Sequence, residues 1–297
     1  MLAVCLVVTG CGGGAAGSAD AGETSGPAYI EPATVATAAF DAAAATGANG
    51  GLIDTSHTAQ GYVGASAQNS SRLKFQVIKD GMSYNYDLPG DGTPIICPLS
   101  LGDGAYEFRI MQNTSGNNYV QLTGTSANVA LASPFEPFLH PSLFCNYTAS
   151  SACVSQARQL AAGAENQGDV VRAVYDWLTR NIAYDTGKAA QLADTTGYVP
   201  DPDATLSVGS GICFDYASLA AAMFRSLGIP CQIVTGYVSP DNIYHAWNMI
   251  YIDGTWVSAQ ITVNANQWTR IDTTFAAGGA GADYIGDGST YTDRYVY

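Results

Sequence analysis

The chain has 297 residues, 47% hydrophobic and 12% charged, with 11 Lys and Arg against 25 Asp and Glu and a formal net charge of −14. That length suits two domains, and the apolar fraction supports a sizeable core. The acidic balance, with no basic run anywhere, argues against nucleic acid as a partner, because neutralising phosphates needs clustered Lys and Arg.

The first residues, MLAVCLVVTGCGGGAAGSADAGETSGPA, open on a short apolar run. Val8-Thr9-Gly10-Cys11 at its end resembles the bacterial lipoprotein signal, in which small residues precede a cysteine that is lipidated after cleavage. A bilayer-spanning helix needs about 20 apolar residues, more than this run offers. No Lys or Arg precedes the run, a departure from the usual signal. The resemblance implies a signal peptide over residues 1–10, a lipid on Cys11 and attachment to the membrane at the bacterial cell surface. Residues 11–37 are low in complexity and read as a flexible tether.

Of the seven cysteines, Cys5 leaves with the signal and Cys11 carries lipid. Cys97, Cys145, Cys153, Cys213 and Cys231 remain, an odd number that predicts one free thiol and up to two bridges. Cys145 and Cys153 are close enough in sequence to pair across a loop. No C-x-x-C or His-rich spacing suggests zinc, and no cofactor or metal is expected.

Over residues 38–135 short alternating runs are broken by turn residues. LKFQVI precedes Lys-Asp-Gly, SYNYDL precedes Pro-Gly-Asp-Gly, TPIICPLSL precedes Gly-Asp-Gly, and YEFRIMQ, YVQLTG and NVALAS follow. Period-two alternation with such breaks predicts antiparallel strands in a small β-sandwich. It holds no clustered Cys or paired acids, and its expected role is that of a spacer or binding module. His57 and His140 read as loop or surface histidines.

Residues 136–297 change in texture to α+β. SQARQLAAGAEN and GDVVRAVYDWLTRNIAYD predict helices, the second with Val170, Val174, Trp177 and Ile182 along one face and Asp169 as N-cap. Cys213, Ala217, Ala220, Phe224 and Leu227 form one helical stripe, closed by Gly228 and Pro230. QIVTGYV and YHAWNMIYID then predict strands. Cys213 thus opens a helix, where a thiol's pKa is lowered. His245 lies on the second strand, sharing a face with Trp247, Met249 and Tyr251. Asp215 and Tyr216 read as partners of the helix dipole in its first turn. YIGDGSTYT reads as a turn before a last strand.

GICFDYASLAAAMFRSLGIPCQIVTGYV, YHAWNMIYIDG and WTRIDTTF together resemble the transglutaminase-like superfamily. The resemblance rests on Gly211 and Cys213; on Arg225, Gly228, Ile229 and Pro230; on Gly236 and Tyr237; on His245 to Asn248; and on Trp268, Asp272 and Thr274. Thr273 departs from the Pro often found there, and RNIAYD resembles the family's helix exit. The resemblance implies a papain-like core, a central helix packed on an antiparallel sheet, with a Cys213-His245-Asp272 triad. The chemistry implied is acyl transfer on peptide or protein amides, as a peptidase, amidase or transglutaminase. A non-catalytic surface binding module keeping this fold is the alternative.

The acid's pattern occurs twice. Trp256-Val-Ser-Ala-Gln260-Ile-Thr262 carries Gln where Trp268-Thr-Arg-Ile-Asp272-Thr-Thr274 carries Asp. A tight turn at Asp253-Gly254 would place Gln260 opposite Trp247, diagonal to His245. A carboxylate stabilises an imidazolium better than an amide does. The reading adopted takes 253–266 as an inserted excursion and Asp272 as the third member.

Overall fold

The computed structural model describes residues 22–258, 261–278 and 289–297. The chain divides into two compact units, one of residues 36–146 with Tyr297, the other of the segment ending at Val35 with residues 147–296.

In order, the first strand is β1 (Glu23–Ser25), and it belongs to the second unit. The first unit then builds β2 (Thr46–Ala48), β3 (Gly51–Asp54), β4 (Tyr62–Ala67), β5 (Leu73–Lys79), β6 (Met82–Leu88), β7 (Ile95–Pro98), β8 (Gly104–Ser115) and β9 (Asn118–Val129). They form two antiparallel sheets of order β2-β3-β4-β7 and β6-β5-β8-β9. Period-two alternation buries Leu73, Phe75 and Val77 on β5 and Tyr106, Phe108 and Ile110 on β8. The Lys-Asp-Gly break is a two-residue hairpin turn, with φ of 50° at Asp80 and 81° at Gly81, the positive pair whose twist suits antiparallel strands. YVQLTG and the first two residues of NVALAS, read as parts of two strands, lie on one, which ends at Val129. Gly124 does not turn the chain but stays in the ladder, where a Cβ would meet the Phe108 carbonyl oxygen at 2.9 Å.

The second unit continues with α1 (Ala152–Ala161), α2 (Gln167–Asn181), β10 (Ala183–Tyr184), α3 (Thr186–Leu192), α4 (Pro202–Val208), β11 (Ser210–Gly211), α5 (Cys213–Ser226), β12 (Cys231–Val238), β13 (Ile243–Tyr251), β14 (Thr255–Val257), β15 (Thr262–Val263), β16 (Trp268–Ile271), α6 (Thr273–Ala277) and β17 (Tyr291–Val296). An antiparallel sheet of order β16-β13-β12-β17 packs against α5. The apolar stripe expected on α5 is broader in the structure. Every residue from Asp215 to Ser226 is buried, because α1, α2 and α4 cover the faces that the sheet leaves. Burying a side chain such as Leu219, Met223 or Phe224 stabilises by about 1.5–3 kcal/mol each. Gly228, at φ 76°, closes the helix, and the buried Arg225 donates Nε–H to the Cys231 carbonyl at 2.9 Å, fastening the helix exit to β12.

Three expectations are corrected here, the first being the bridges: none of Cys97, Cys145, Cys153, Cys213 and Cys231 is in a disulfide, Cys145 and Cys153 included. The N-cap of α2 is Asn166, whose side chain accepts from the Asp169 N–H at 3.1 Å; Asp169 sits a turn later and accepts from the Glu165 N–H at 3.1 Å. The segment 22–35, read from composition as part of the 11–37 tether, is fastened along the second unit. Its β1 pairs with β14, Thr24 donates to Asp169 at 2.7 Å, Tyr29 donates to the Leu227 carbonyl at 3.1 Å, and Glu31 pairs with Arg158 at 2.9 Å. Low complexity hid these partners, which are far apart in sequence. The proposed signal peptide and Cys11 lie outside the described residues.

Candidate active site

Cys213 is the first residue of α5, and its approach is fixed by local packing. Gly211 pairs with Tyr184 in the parallel β10–β11 bridge, and its carbonyl accepts from the Asp185 N–H at 2.9 Å. Tyr216 donates to the Ile182 carbonyl from the next turn of the helix. These bonds explain why RNIAYD and Gly-x-Cys occur together. Gly211 leaves no room for a side chain, since a Cβ would lie 2.6 Å from the Asp215 Cβ. The hydrogen bonds at this helix start begin with the Asp215 N–H, so the Cys213 N–H precedes the first intrahelical donor.

His245 is placed by β13, whose neighbours hold it at fixed register. Gly236 on β12 stands opposite it and must be glycine, because a Cβ would meet the Thr292 carbonyl oxygen at 2.0 Å and the Trp247 ring at 2.9 Å. Asn248, buried, donates Nδ2–H to the Ala217 carbonyl at 2.9 Å and the Gln232 carbonyl at 3.1 Å, locking the strand to α5. The His245 ring stacks on Phe275 at a centroid distance of 4.2 Å.

The register separates the two candidate acids. β13 pairs with β16, Asn248 opposite Ile271, so the next step places Asp272 beside Trp247 and diagonal to His245. Among the described residues, β14 pairs with β1 and β15 instead. The described residues between β13 and β16, 253–258 and 261–267, therefore lie outside the main sheet as an excursion, and Asp272 occupies the position that a short hairpin would have given Gln260. Gln260 itself lies outside the described residues.

Asp272 accepts from His245 Nε2 at 2.7 Å on Oδ2. The same oxygen accepts from the Tyr291 hydroxyl at 2.9 Å, while Oδ1 accepts from the N–H groups of Thr274 at 3.1 Å and Phe275 at 3.0 Å as the N-cap of α6. Both His245 and Asp272 are buried, whereas Cys213 is half-buried. With Nε2 engaged, the other ring nitrogen, Nδ1, faces the Cys213 thiol, to which His245 is hydrogen-bonded. Burial alone would depress the imidazole, but the Asp272 charge, its hydrogen bond and Cys213 push it up to about 10. Burial likewise works against the Asp272 carboxylate, and the His245 charge with the four donors holds it below the usual range. The pair is thus ionised across neutral pH, with a cationic ring beside the sulfur.

Sequence reasoning did not single out Tyr291, which arrives from the last strand, or Phe275 as the ring's stacking partner. Neither carries a local motif of its own, although Phe275 follows the Trp-x-x-x-Asp-x-Thr pattern. His57 and His140 stay in the first unit, where His57 stacks on Tyr62 and His140 accepts or donates to Glu136 at 3.1 Å.

The chain is similar to several known proteins. The kyphoscoliosis peptidase of Homo sapiens is 30% identical over 119 residues, covering 37% of this chain and 18% of that protein. A UPF0252 protein of Archaeoglobus fulgidus is 27% identical over 101 residues, covering 30% of this chain and 32% of that one. The chain thus spans under a third of the length of these curated relatives. Among solved structures, the periplasmic domain of TgpA from Pseudomonas aeruginosa, bound to ethylmercury, aligns with a TM-score of 0.33 and 16% identity over 80% of this chain and 78% of that one. A model of the transglutaminase-like superfamily matches residues 154–261, a stretch that contains Cys213 and His245 and ends before Asp272. Residues 154–261 therefore form a transglutaminase-like superfamily domain by this match, whose end falls within the excursion, before the acid that His245 holds.

Proposed function

We propose that this chain is a cysteine acyltransferase or peptidase acting on peptide or protein amides at the bacterial cell surface, held to the membrane through a lipid on Cys11. The observation that carries the reading is the buried His245–Asp272 bond of 2.7 Å, which turns the second ring nitrogen toward the thiol at the start of α5. A nucleophile, a base and an orienting acid are the parts that covalent acyl transfer requires.

The steps follow from those parts. The Cys213 proton rests on His245 Nδ1, and the sulfur attacks the amide carbonyl carbon. The oxyanion accepts from the Cys213 N–H at the helix N-terminus, where donors are unspent. His245 passes its proton to the departing amine, leaving a thioester. Water or an incoming amine then attacks that thioester as His245 takes its proton, and the sulfur leaves. Water gives hydrolysis or deamidation, and an amine gives cross-linking; the triad serves all three.

The test is product analysis. Peptides with internal amide bonds and glutamine side chains, incubated with and without a primary amine, are read by mass spectrometry. Cleavage, deamidation or amine incorporation is expected with the wild-type chain and none with Cys213→Ala. Binding without any mass change in either protein would favour a binding module instead.

A further inference from the structure

Outside the triad, a part-buried ionic cluster gathers at the first turn of α5, the helix that Cys213 opens. Asp215, two residues after Cys213, is fully buried. Its Oδ2 accepts from the Ile212 N–H at 2.8 Å and from Lys188 Nζ at 2.7 Å, and its Oδ1 accepts from the Tyr198 hydroxyl. The sequence suggested a partner for the helix dipole; the structure adds two donors from outside the helix. The Ile212 bond fixes the Gly211–Ile212 peptide, one residue before Cys213. Lys188 belongs to α3, a helix with no buried residue, and Tyr198 to the segment after it. Lys188 also lies over the Tyr198 ring at 4.8 Å.

A buried carboxylate two residues along the helix from a sulfur anion would oppose it, since like charges in a poorly solvated site repel. The ammonium of Lys188 cancels that charge. Burial works against the cation, yet its bonds to Asp215 and Tyr198 hold Lys188 above its ordinary range. Burial and the Asp215 carboxylate push the Tyr198 phenol up to about 12, so it remains a donor. The charged groups at this end of α5 are then Asp215 on the helix itself, Lys188 from α3 bound to it, and His245 from β13 with Asp272 behind it.

We propose that Lys188 and Tyr198 are positioning residues for the nucleophile, acting through Asp215: they neutralise and hold the carboxylate that sets the pose and the electrostatic surroundings of Cys213. The proposal rests on the catalytic reading of Cys213. In the same way, the pair ties the segment 186–198 to the first turn of α5.

The experiment is the pH dependence of iodoacetamide alkylation of Cys213, located by peptide mass mapping, in folded full-length protein. Lys188→Met is expected to raise the pH of half-maximal rate by about one unit, an approximately ten-fold slowing on the acid side. Tyr198→Phe moves it the same way by less, Asp215→Asn moves it the opposite way, and Lys188→Arg keeps the wild-type profile. Lys188→Met/Asp215→Asn, with both charges gone, returns toward wild type. If Lys188→Met fails to fold, the sign of the Asp215→Asn shift decides. Superimposable profiles in wild type, Lys188→Met and Asp215→Asn overturn the proposal while leaving the triad intact. A wild-type Cys213 that is not alkylated ahead of the other cysteines overturns the catalytic reading itself.

Discussion

Replacing Asp272 with asparagine separates the acid's orienting role from its structural one. The amide oxygen can keep the two backbone bonds at the start of α6, from Thr274 at 3.1 Å and Phe275 at 3.0 Å. The amide nitrogen then occupies the place of Oδ2, which now accepts from His245 and Tyr291. Facing an N–H donor, Nε2 must become an acceptor, and the proton moves to Nδ1. That nitrogen then has no lone pair for the Cys213 proton. Loss of the orienting carboxylate in this manner costs about 10³–10⁴ in turnover, or roughly 4–5.5 kcal/mol at 1.36 kcal/mol per decade. Removing one partner of a buried ion pair outright costs about 3–5 kcal/mol of stability. The asparagine keeps the shape and lets the ring become neutral, so the stability loss should fall below that range. Turnover on a fluorogenic peptide, with circular dichroism and urea unfolding as fold controls, measures both. A folded Asp272→Asn protein within ten-fold of wild-type turnover would refute the orienting role.

Gln260→Ala should cost far less activity than Asp272→Ala, for which about 10²–10⁴ is expected; the reverse ranking would mean that Gln260 is the partner of His245. The stability difference between wild type and Asp272→Asn should be greatest between about pH 4 and 6.5. His245, raised from 6.5 to about 10, contributes fully below 6.5 and loses its contribution as pH rises through 10, while Asp272, lowered from 3.8, contributes above that value and loses its contribution on acidification. Urea midpoints across pH check this, and a difference that grows toward pH 10 contradicts it. Gly236→Ala should destabilise the second unit by more than about 2 kcal/mol and reduce turnover, because its Cβ meets the Thr292 carbonyl oxygen at 2.0 Å and displaces the strand that supplies Tyr291. Cys11→Ser should move the protein from membranes to the soluble fraction of a bacterial host; unchanged fractionation would contradict the anchor.

Much of the second unit was legible because its signals are local. Gly211 before Cys213, the Arg225 to Pro230 exit and the His245 to Asn248 strand each encode a contact within a few residues or one neighbouring element. The structure gives each a physical reason: a close approach at Gly211 and Gly236, a buried Arg225 bond, and the Asn248 clamp on α5. The choice between Gln260 and Asp272 depended on register, which the sequence expressed only as two copies of one pattern. The pairing of β13 with β16 resolves the geometry. What could not be read came from long range. Lys188 and Tyr198 reach Asp215 across 27 and 17 residues, and Tyr291 reaches Asp272 across 19 through a final strand. Residues 22–35 have the composition of a linker, and only their partners on α1, α2, β14 and the end of α5 reveal them as a strap.

The most direct measurement is the location of a covalent adduct. A chloroacetamide mimic of a peptide amide, applied at mildly acidic pH and followed by peptide mass mapping, should modify Cys213 ahead of Cys97, Cys145, Cys153 and Cys231. The adduct should be lost in His245→Ala and strongly slowed in Asp272→Asn. Labelling spread over the cysteines, or a Cys213 adduct that forms equally fast without His245, would contradict the account.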